Sequence, residues 1–153
     1  MSFLGQFEHN LDAKDRLTVP SKFRAALSDG VILLAGLDPC VWIFPAKSYE
    51  GFSSEILGGA NPLSPDGRKM RRHFFGSADD ETLDSAGRIH VPRNLVEHAG
   101  LEGACVVLGM NDYIEVWNAA TWPEFDADTK RTVNEVAESY AGTMTVRQGE
   151  SEG

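Results

Sequence analysis

Leu11-Asp12-Ala13-Lys14-Asp15-Arg16-Leu17-Thr18-Val19-Pro20 and Leu83-Asp84-Ser85-Ala86-Gly87-Arg88-Ile89-His90-Val91-Pro92 align without a gap, sharing their Leu, Asp, Arg, Val and Pro positions. A match of this kind inside one chain points to a duplication, and the surrounding sequence extends it. With one extra residue in the second copy, Ile32-Leu33-Leu34 falls opposite Cys105-Val106-Val107, and Val41-Trp42-Ile43-Phe44 opposite Ile114-Glu115-Val116-Trp117. The repeats occupy residues 5–51 and 81–124. Residues 52–80 form a connector with a basic helix, and 125–153 a C-terminal helix and polar tail.

Each repeat reads alike. A strand (Gln6 to Leu11; Glu81 to Leu83) enters a turn of the form Asp-x-x-x-Arg, in which the aspartate accepts from following backbone N–H groups and Gly87 supplies positive φ. The strand that leaves the turn sends Leu17 and Val19 to one face and Arg16 and Thr18 to the other, with Ile89 and Val91 opposing Arg88 and His90 in the second copy. Pro20 or Pro92 opens a short helix (Ser21 to Leu27; Arg93 to Ala99) that Gly30 or Gly100 closes. A pair of apolar strands follows, Val31 to Leu34 with Val41 to Phe44 and Ala104 to Leu108 with Tyr113 to Trp117. Neither half is large enough to be stable alone, so the two are expected to share one core. Ser64-Pro65-Asp66 starts a basic helix, Arg68 to Phe75, offering Met70, Phe74 and Phe75 for burial, and Asn118 is a candidate cap for a last helix. Val133, Val136, Ala137 and Tyr140 recur at helical spacing, and the polar tail from Ala141 to Gly153 is expected to be disordered.

The chain has 153 residues, 42% of them hydrophobic, and a formal charge of -9. That balance opposes indiscriminate polyanion binding but permits a local basic surface, because phosphates respond to charges within about 8 Å. The N-terminus lacks the features of a secretory signal, and no apolar run approaches the ~20 residues of a membrane helix, so a soluble, cytoplasmic protein is expected. Cys40 and Cys105 read as buried thiols; His9, His73, His90 and His98 lack metal spacing, and nothing calls for a cofactor.

A single Asp-x-x-x-Arg turn would be an ordinary surface ion pair. Two related by pseudo-symmetry make a two-pronged ribbon, an element that fits the DNA major groove. Arg16 and Arg88 are candidate base readers, since a guanidinium can contact guanine O6 and N7 together. Thr18 and His90 share their face; Lys14, Lys22, Arg24 and Arg93 are candidate phosphate contacts, and Asp12, Asp84 and Gly87 shape the turns. Trp42, Trp117 and Trp122 read as core or subunit interface rather than as a platform for bases.

The run Phe3-Leu4-Gly5-Gln6-Phe7-Glu8-His9-Asn10-Leu11-Asp12-Ala13-Lys14, the run Arg16-Leu17-Thr18-Val19-Pro20 with Lys22-Phe23-Arg24, the segment Phe74-Phe75-Gly76-Ser77-Ala78 and the second motif, Asp84 to Pro92, resemble the MraZ family of bacterial transcriptional regulators. The resemblance extends to about Trp122. It implies a mainly β fold with short α-helices, in which two tandem AbrB-like (SpoVT-AbrB) repeats form a swapped-hairpin pseudo-dimeric β-barrel. It further implies homo-oligomeric rings that bind promoter direct repeats in double-stranded DNA. The expected role is repression of the protein's own division and cell-wall gene cluster, at the nucleoid. One position departs from the family pattern: Asp15 stands where glycine precedes the arginine of the first turn, adding a negative charge beside the proposed contacts.

Two other classes compete. Asp12 and Asp84 could form a paired-carboxylate hydrolase site sharing a proton, although both turns are highly charged and the chain has no G-x-S-x-G, P-loop, G-x-G-x-x-G or H-E-x-x-H motif. Loss of turnover in Asp12→Asn and Asp84→Asn would mark the enzyme. An antitoxin-like interaction module, using the helix Thr129 to Tyr140, would instead co-purify with a partner and ignore DNA.

Overall fold

Strand pairing follows the duplication but crosses between its halves. The computed structural model describes residues 2–152, with side chains through 143. Its elements are β1 (Gln6–Asn10), β2 (Arg16–Thr18), α1 (Ser21–Arg24), β3 (Val31–Ala35), β4 (Val41–Pro45), α2 (Ala46–Leu57), α3 (Pro65–Phe74), β5 (Asp79–Glu81), β6 (Arg88–His90), α4 (Arg93–Ala99), β7 (Ala104–Gly109), β8 (Ile114–Asn118) and α5 (Trp122–Glu152). The fold is mainly β with several short helices, and each repeat contributes four strands. Two compact units result, Met1–Ala120 and Thr121–Gly153.

One six-stranded antiparallel sheet has the order β1-β7-β8-β4-β3-β5, and β2 and β6 form a separate two-stranded sheet. The first repeat's β1 lies on the second repeat's β7, Gln6 opposite Leu108. The second repeat's β5 lies on the first repeat's β3, Val31 opposite Glu81, and β4 joins β8 at the centre. The expected closed barrel is not what forms: the six-stranded sheet is open, ending at β1 and β5. The sequence of β5, Asp79-Asp80-Glu81, accounts for that end, because a row of carboxylates repels a further strand.

Alternation gives each inner face its apolar side chains. Leu17, Val19, Ile89, Val91, Leu33, Ile43, Val107, Ile114 and Val116 are fully inaccessible to solvent and belong to one core drawn from both repeats. Each fully buried Leu, Ile or Val contributes about 1.5–3 kcal/mol, so the shared core, not the turns, holds the ribbon in place. A second cluster joins Leu34, Phe44, Leu57 and Phe74 to the partly buried Trp42, Tyr49, Phe52 and Tyr113, with the Phe44 and Tyr113 rings stacked 4.9 Å apart. At its edge the buried Glu115 accepts the indole N–H groups of Trp42 (3.1 Å) and Trp117 (3.0 Å). Both cysteines are buried free thiols, and burial followed by the Glu115 charge raises the Cys40 pKa.

Several local expectations change. The first short helix stops at Arg24 and continues only as turns, and the strand expected at Glu81 to Leu83 lies earlier, at Asp79–Glu81. Helix α2 has no counterpart in the sequence reading. Helix α3 starts where expected, Ser64 Oγ accepting the Gly67 N–H at 2.9 Å with Pro65 in its first turn, but only Phe74 is buried while Met70 and Phe75 are each 39% exposed. Asn118 ends β8 and accepts the Ala120 N–H in the next turn instead of capping α5. The tail expected to be disordered is helical to Glu152, with Gly153 outside the described residues. In α5, Asp126 and Lys130 pair one turn apart, as do Asp128 and Arg131, and Val133, Val136 and Tyr140 are exposed. Trp117 is buried, whereas Trp42 and Trp122 are half-buried. No helix among the described residues is long and apolar enough to cross a membrane.

Candidate nucleic-acid interface

The ribbon is built from two copies of one hydrogen-bonded turn. In the first, Asp12 Oδ1 accepts the backbone N–H groups of Lys14 (2.9 Å) and Arg16 (3.0 Å), while Oδ2 accepts Arg16 Nε at 2.8 Å. In the second, Asp84 Oδ1 accepts those of Ala86 and Arg88, both at 2.9 Å, and Oδ2 accepts Arg88 Nε at 2.8 Å. The residue before each arginine takes left-handed geometry, Asp15 at φ 58° and Gly87 at φ 75°. Asp and Asn visit that region more readily than other side chains, so Asp15 keeps the turn shape that glycine provides in the second copy.

The turns interlock across the pseudo-two-fold. Val19 donates its N–H to Gly87 O at 2.9 Å, and Val91 donates to Asp15 O at 2.8 Å. Between them β2 and β6 pair antiparallel, Arg16 opposite His90, Leu17 opposite Ile89, and Thr18 opposite Arg88. With Leu17 and Ile89 fully buried beneath, period-two alternation places Arg16, Thr18, Arg88 and His90 together on the outer face. The two arginines sit diagonally, and diagonal neighbours in such a pair are about 7–8 Å apart.

Each arginine is anchored by its Nε, the near edge of its fork. The terminal amino groups of Arg16 carry no hydrogen bond among the described residues, and Arg88 Nη1 lies 3.9 Å from Asp12 Oδ2, beyond hydrogen-bond length. Side-chain exposures of 32% and 33% leave both arginines partly open to solvent. Asp12 is held below the usual carboxylate range first by the Arg16 N–H, then by its guanidinium and the Lys14 N–H; Asp84 is held low first by the Arg88 N–H, then by its guanidinium and the Ala86 N–H. The aspartates therefore stay ionised and fix the arginines' direction.

The remaining candidates separate by role. Lys14 is exposed at the first turn, and Lys22 is exposed with Nζ 5.9 Å from the centre of the Phe7 ring. His90 is exposed, with Nδ1 3.5 Å from Glu81 Oε1. Arg24, read from sequence as a phosphate contact, is half-buried: its Nε donates to Val19 O at 3.0 Å, and its guanidinium covers Gly87 so closely that a Cβ there would lie 2.4 Å from Nε. Its first task is to brace the second turn. Burial and the Arg24 charge together lower the pKa of His9. Arg93 reaches across the repeats to Asp15, Nη1 to Oδ2 3.4 Å. Neither link was visible in the sequence, because each joins residues whose proximity depends on the crossed pairing.

Comparison with known proteins agrees with this architecture. A profile of the family described as "MraZ protein, putative antitoxin-like" matches residues 2–67 and 74–141, one segment for each repeat. The chain belongs to the MraZ family. A relative from Symbiobacterium thermophilum, "Transcriptional regulator MraZ", is 38% identical over 135 residues, covering 88% of this chain and 97% of the relative. One of the same name from Lactiplantibacillus plantarum is 36% identical over 138 residues, covering 90% and 96%. Both MraZ relatives thus match across nearly their whole length, so the similarity takes in both repeats.

Proposed function

We propose that this MraZ-family protein is a sequence-specific DNA-binding transcriptional regulator acting through the outer face of the β2·β6 ribbon. The observation that carries the reading is the pair of arginines anchored by Nε over a buried Leu17–Ile89 floor, with terminal amino groups directed by ionised aspartates. A two-stranded ribbon fits a major groove about 12 Å wide, and a guanidinium already oriented loses less freedom on contacting guanine. Arg16 and Arg88 read base edges, Thr18 and His90 flank them, and Lys14, Lys22 and Arg93 meet phosphate. The names of the relatives support regulation as the outcome.

The crossed strand pairing is read as a swapped-hairpin pseudo-dimer. The protein acts in the cytoplasm at the nucleoid, as a ring whose subunits engage successive direct repeats in the promoter of its own division and cell-wall cluster and repress it. Multivalent engagement supplies affinity that one acidic subunit lacks. Exposed apolar side chains, Leu37, Ile56, Met70 and Phe75 on the body and Val133, Val136 and Tyr140 on α5, support subunit contacts. The paired-aspartate hydrolase finds no support: both aspartates are lowered by their own turns, whereas a shared proton requires one of them raised. Nuclease footprinting of the DNA upstream of the protein's own gene tests the reading. Evenly spaced protected segments are expected; uniform cleavage at all protein concentrations would refute it.

A further inference from the structure

The two ends of the ribbon share a turn but not its electrostatics. The pseudo-two-fold matches Asp15 with Gly87, Ser21 with Arg93 and Ala25 with Glu97, and the match extends to the helix starts, where Phe23 and Leu95 return their N–H groups to Pro20 and Pro92. At the Gly87 end, Asp84 is offset by Arg88, and the adjoining α1 brings Lys22 and Arg24, neither paired with a carboxylate among the described residues. At the Asp15 end, Arg93 Nη1 lies 3.4 Å from Asp15 Oδ2 and its Nε 3.6 Å from Glu97 Oε1. Arg16 there pairs with Asp12, and Arg93 is shared between Asp15 and Glu97 in a concavity that Glu102 also lines, so the carboxylates outnumber the cations paired with them.

We propose that Asp15 attenuates phosphate binding at its end of the ribbon by holding Arg93 in an ion pair, leaving the Gly87 end, with Lys22, as the dominant anchor on the DNA backbone. The Asp15 side chain is the fixed partner, 25% exposed on a left-handed turn residue, and Arg93, 68% exposed, is the one drawn to it. An exposed ion pair of this kind is weak, so the pair biases the contact instead of blocking it. The chain thereby binds with one strong and one weak end, and a pseudo-symmetric ribbon acquires a direction on the duplex. This inference rests on the DNA-binding reading above.

The test is Asp15→Asn, which removes the charge while retaining the size and the tolerance for left-handed geometry. Fluorescence anisotropy is measured on duplex DNA from immediately upstream of the gene, between 50 and 200 mM salt, for wild type, Asp15→Asn and Asp15→Asn/Arg93→Ala. Release of Arg93 onto one more phosphate steepens the salt dependence by about 0.9 logarithmic units, a further loss of about 3.5-fold over that fourfold range. Asp15→Asn is expected to bind more tightly than wild type with the steeper slope, and Arg93→Ala is expected to cancel both changes. Salt-dependent binding by wild type with no change in Asp15→Asn overturns the attenuation alone, as does a gain that survives Arg93→Ala. Absence of binding by wild type and variant alike at 50 mM salt overturns the DNA reading and the attenuation with it.

Discussion

At the scale of single residues, the carboxylates of Asp12 and Asp84 bind their own turns twice through backbone N–H groups and once through arginine. Because folding lowers their pKa values, the stabilisation they contribute is present above the free value of about 3.9 and is lost as pH falls through the lower folded values. Thermal denaturation between pH 7 and pH 2 should therefore show stability declining once pH drops below about 4, and Asp12→Asn/Asp84→Asn should flatten that decline. An unchanged pH profile in the double variant would show that other carboxylates carry it. Gly87 is the other informative position. Its φ of 75° strains any side chain, and a Cβ there would stand 2.4 Å from Arg24 Nε, so the guanidinium would have to move. Gly87→Ala should cost about 1–3 kcal/mol, read as a lowered melting temperature, through backbone strain and displacement of Arg24. The turns were legible from sequence because their chemistry is local: aspartate, left-handed residue and arginine lie within five positions. The bracing of Gly87 by Arg24 and the Asp15–Arg93 pair were not, since both partners come from different repeats.

At the scale of elements, legibility tracked apolar patterning. Strands β3, β4, β7 and β8 alternate or run apolar and fall close to where their sequences place them, as does α4. Strand β5 lies two residues before the strand expected at Glu81 to Leu83, because its three acidic residues have no buried face to declare, and it is ordered by pairing with β3. Helix α2 escaped because its sequence contains Gly51 and three serines and buries only Leu57 completely. Helix α3 announced itself through Ser64 and Pro65, and that cap makes a quantitative test possible. Ser64→Ala should lower stability by about 0.5–2 kcal/mol by removing the acceptor for the Gly67 N–H, with DNA affinity unchanged because the cap lies outside the ribbon. A matching loss of DNA binding in folded protein would mean that the connector takes part in recognition.

At the scale of the whole molecule, the crossed pairing makes the repeats interdependent. With β1 on β7 and β5 on β3, neither repeat can complete its sheet edges or core without the other. Fragments 1–78 and 79–153 should be unfolded when expressed apart, by circular dichroism and amide dispersion in NMR spectra, and should regain structure on mixing. Independent folding of either fragment would contradict a shared core. The repeat, and with it the shared core, could be read from the sequence; the open sheet could not, because whether a six-stranded array closes depends on edge geometry and not on the apolar pattern. Sedimentation velocity at micromolar concentration should show a species several subunits in size, and a monomer alone would oppose the ring.

Recognition of DNA sequence is proposed for Arg16 and Arg88 on the β2·β6 ribbon. Fluorescence anisotropy of the full chain with the DNA immediately upstream of its own gene, against scrambled DNA of the same length, tests it most directly when wild type is compared with Arg16→Ala/Arg88→Ala. A clear preference for the upstream DNA is expected in wild type, reduced by about 1–3 kcal/mol for each arginine removed, in a variant whose melting profile shows that it still folds. Equal affinity for both DNAs in wild type, or the same preference retained by the double variant, would contradict it.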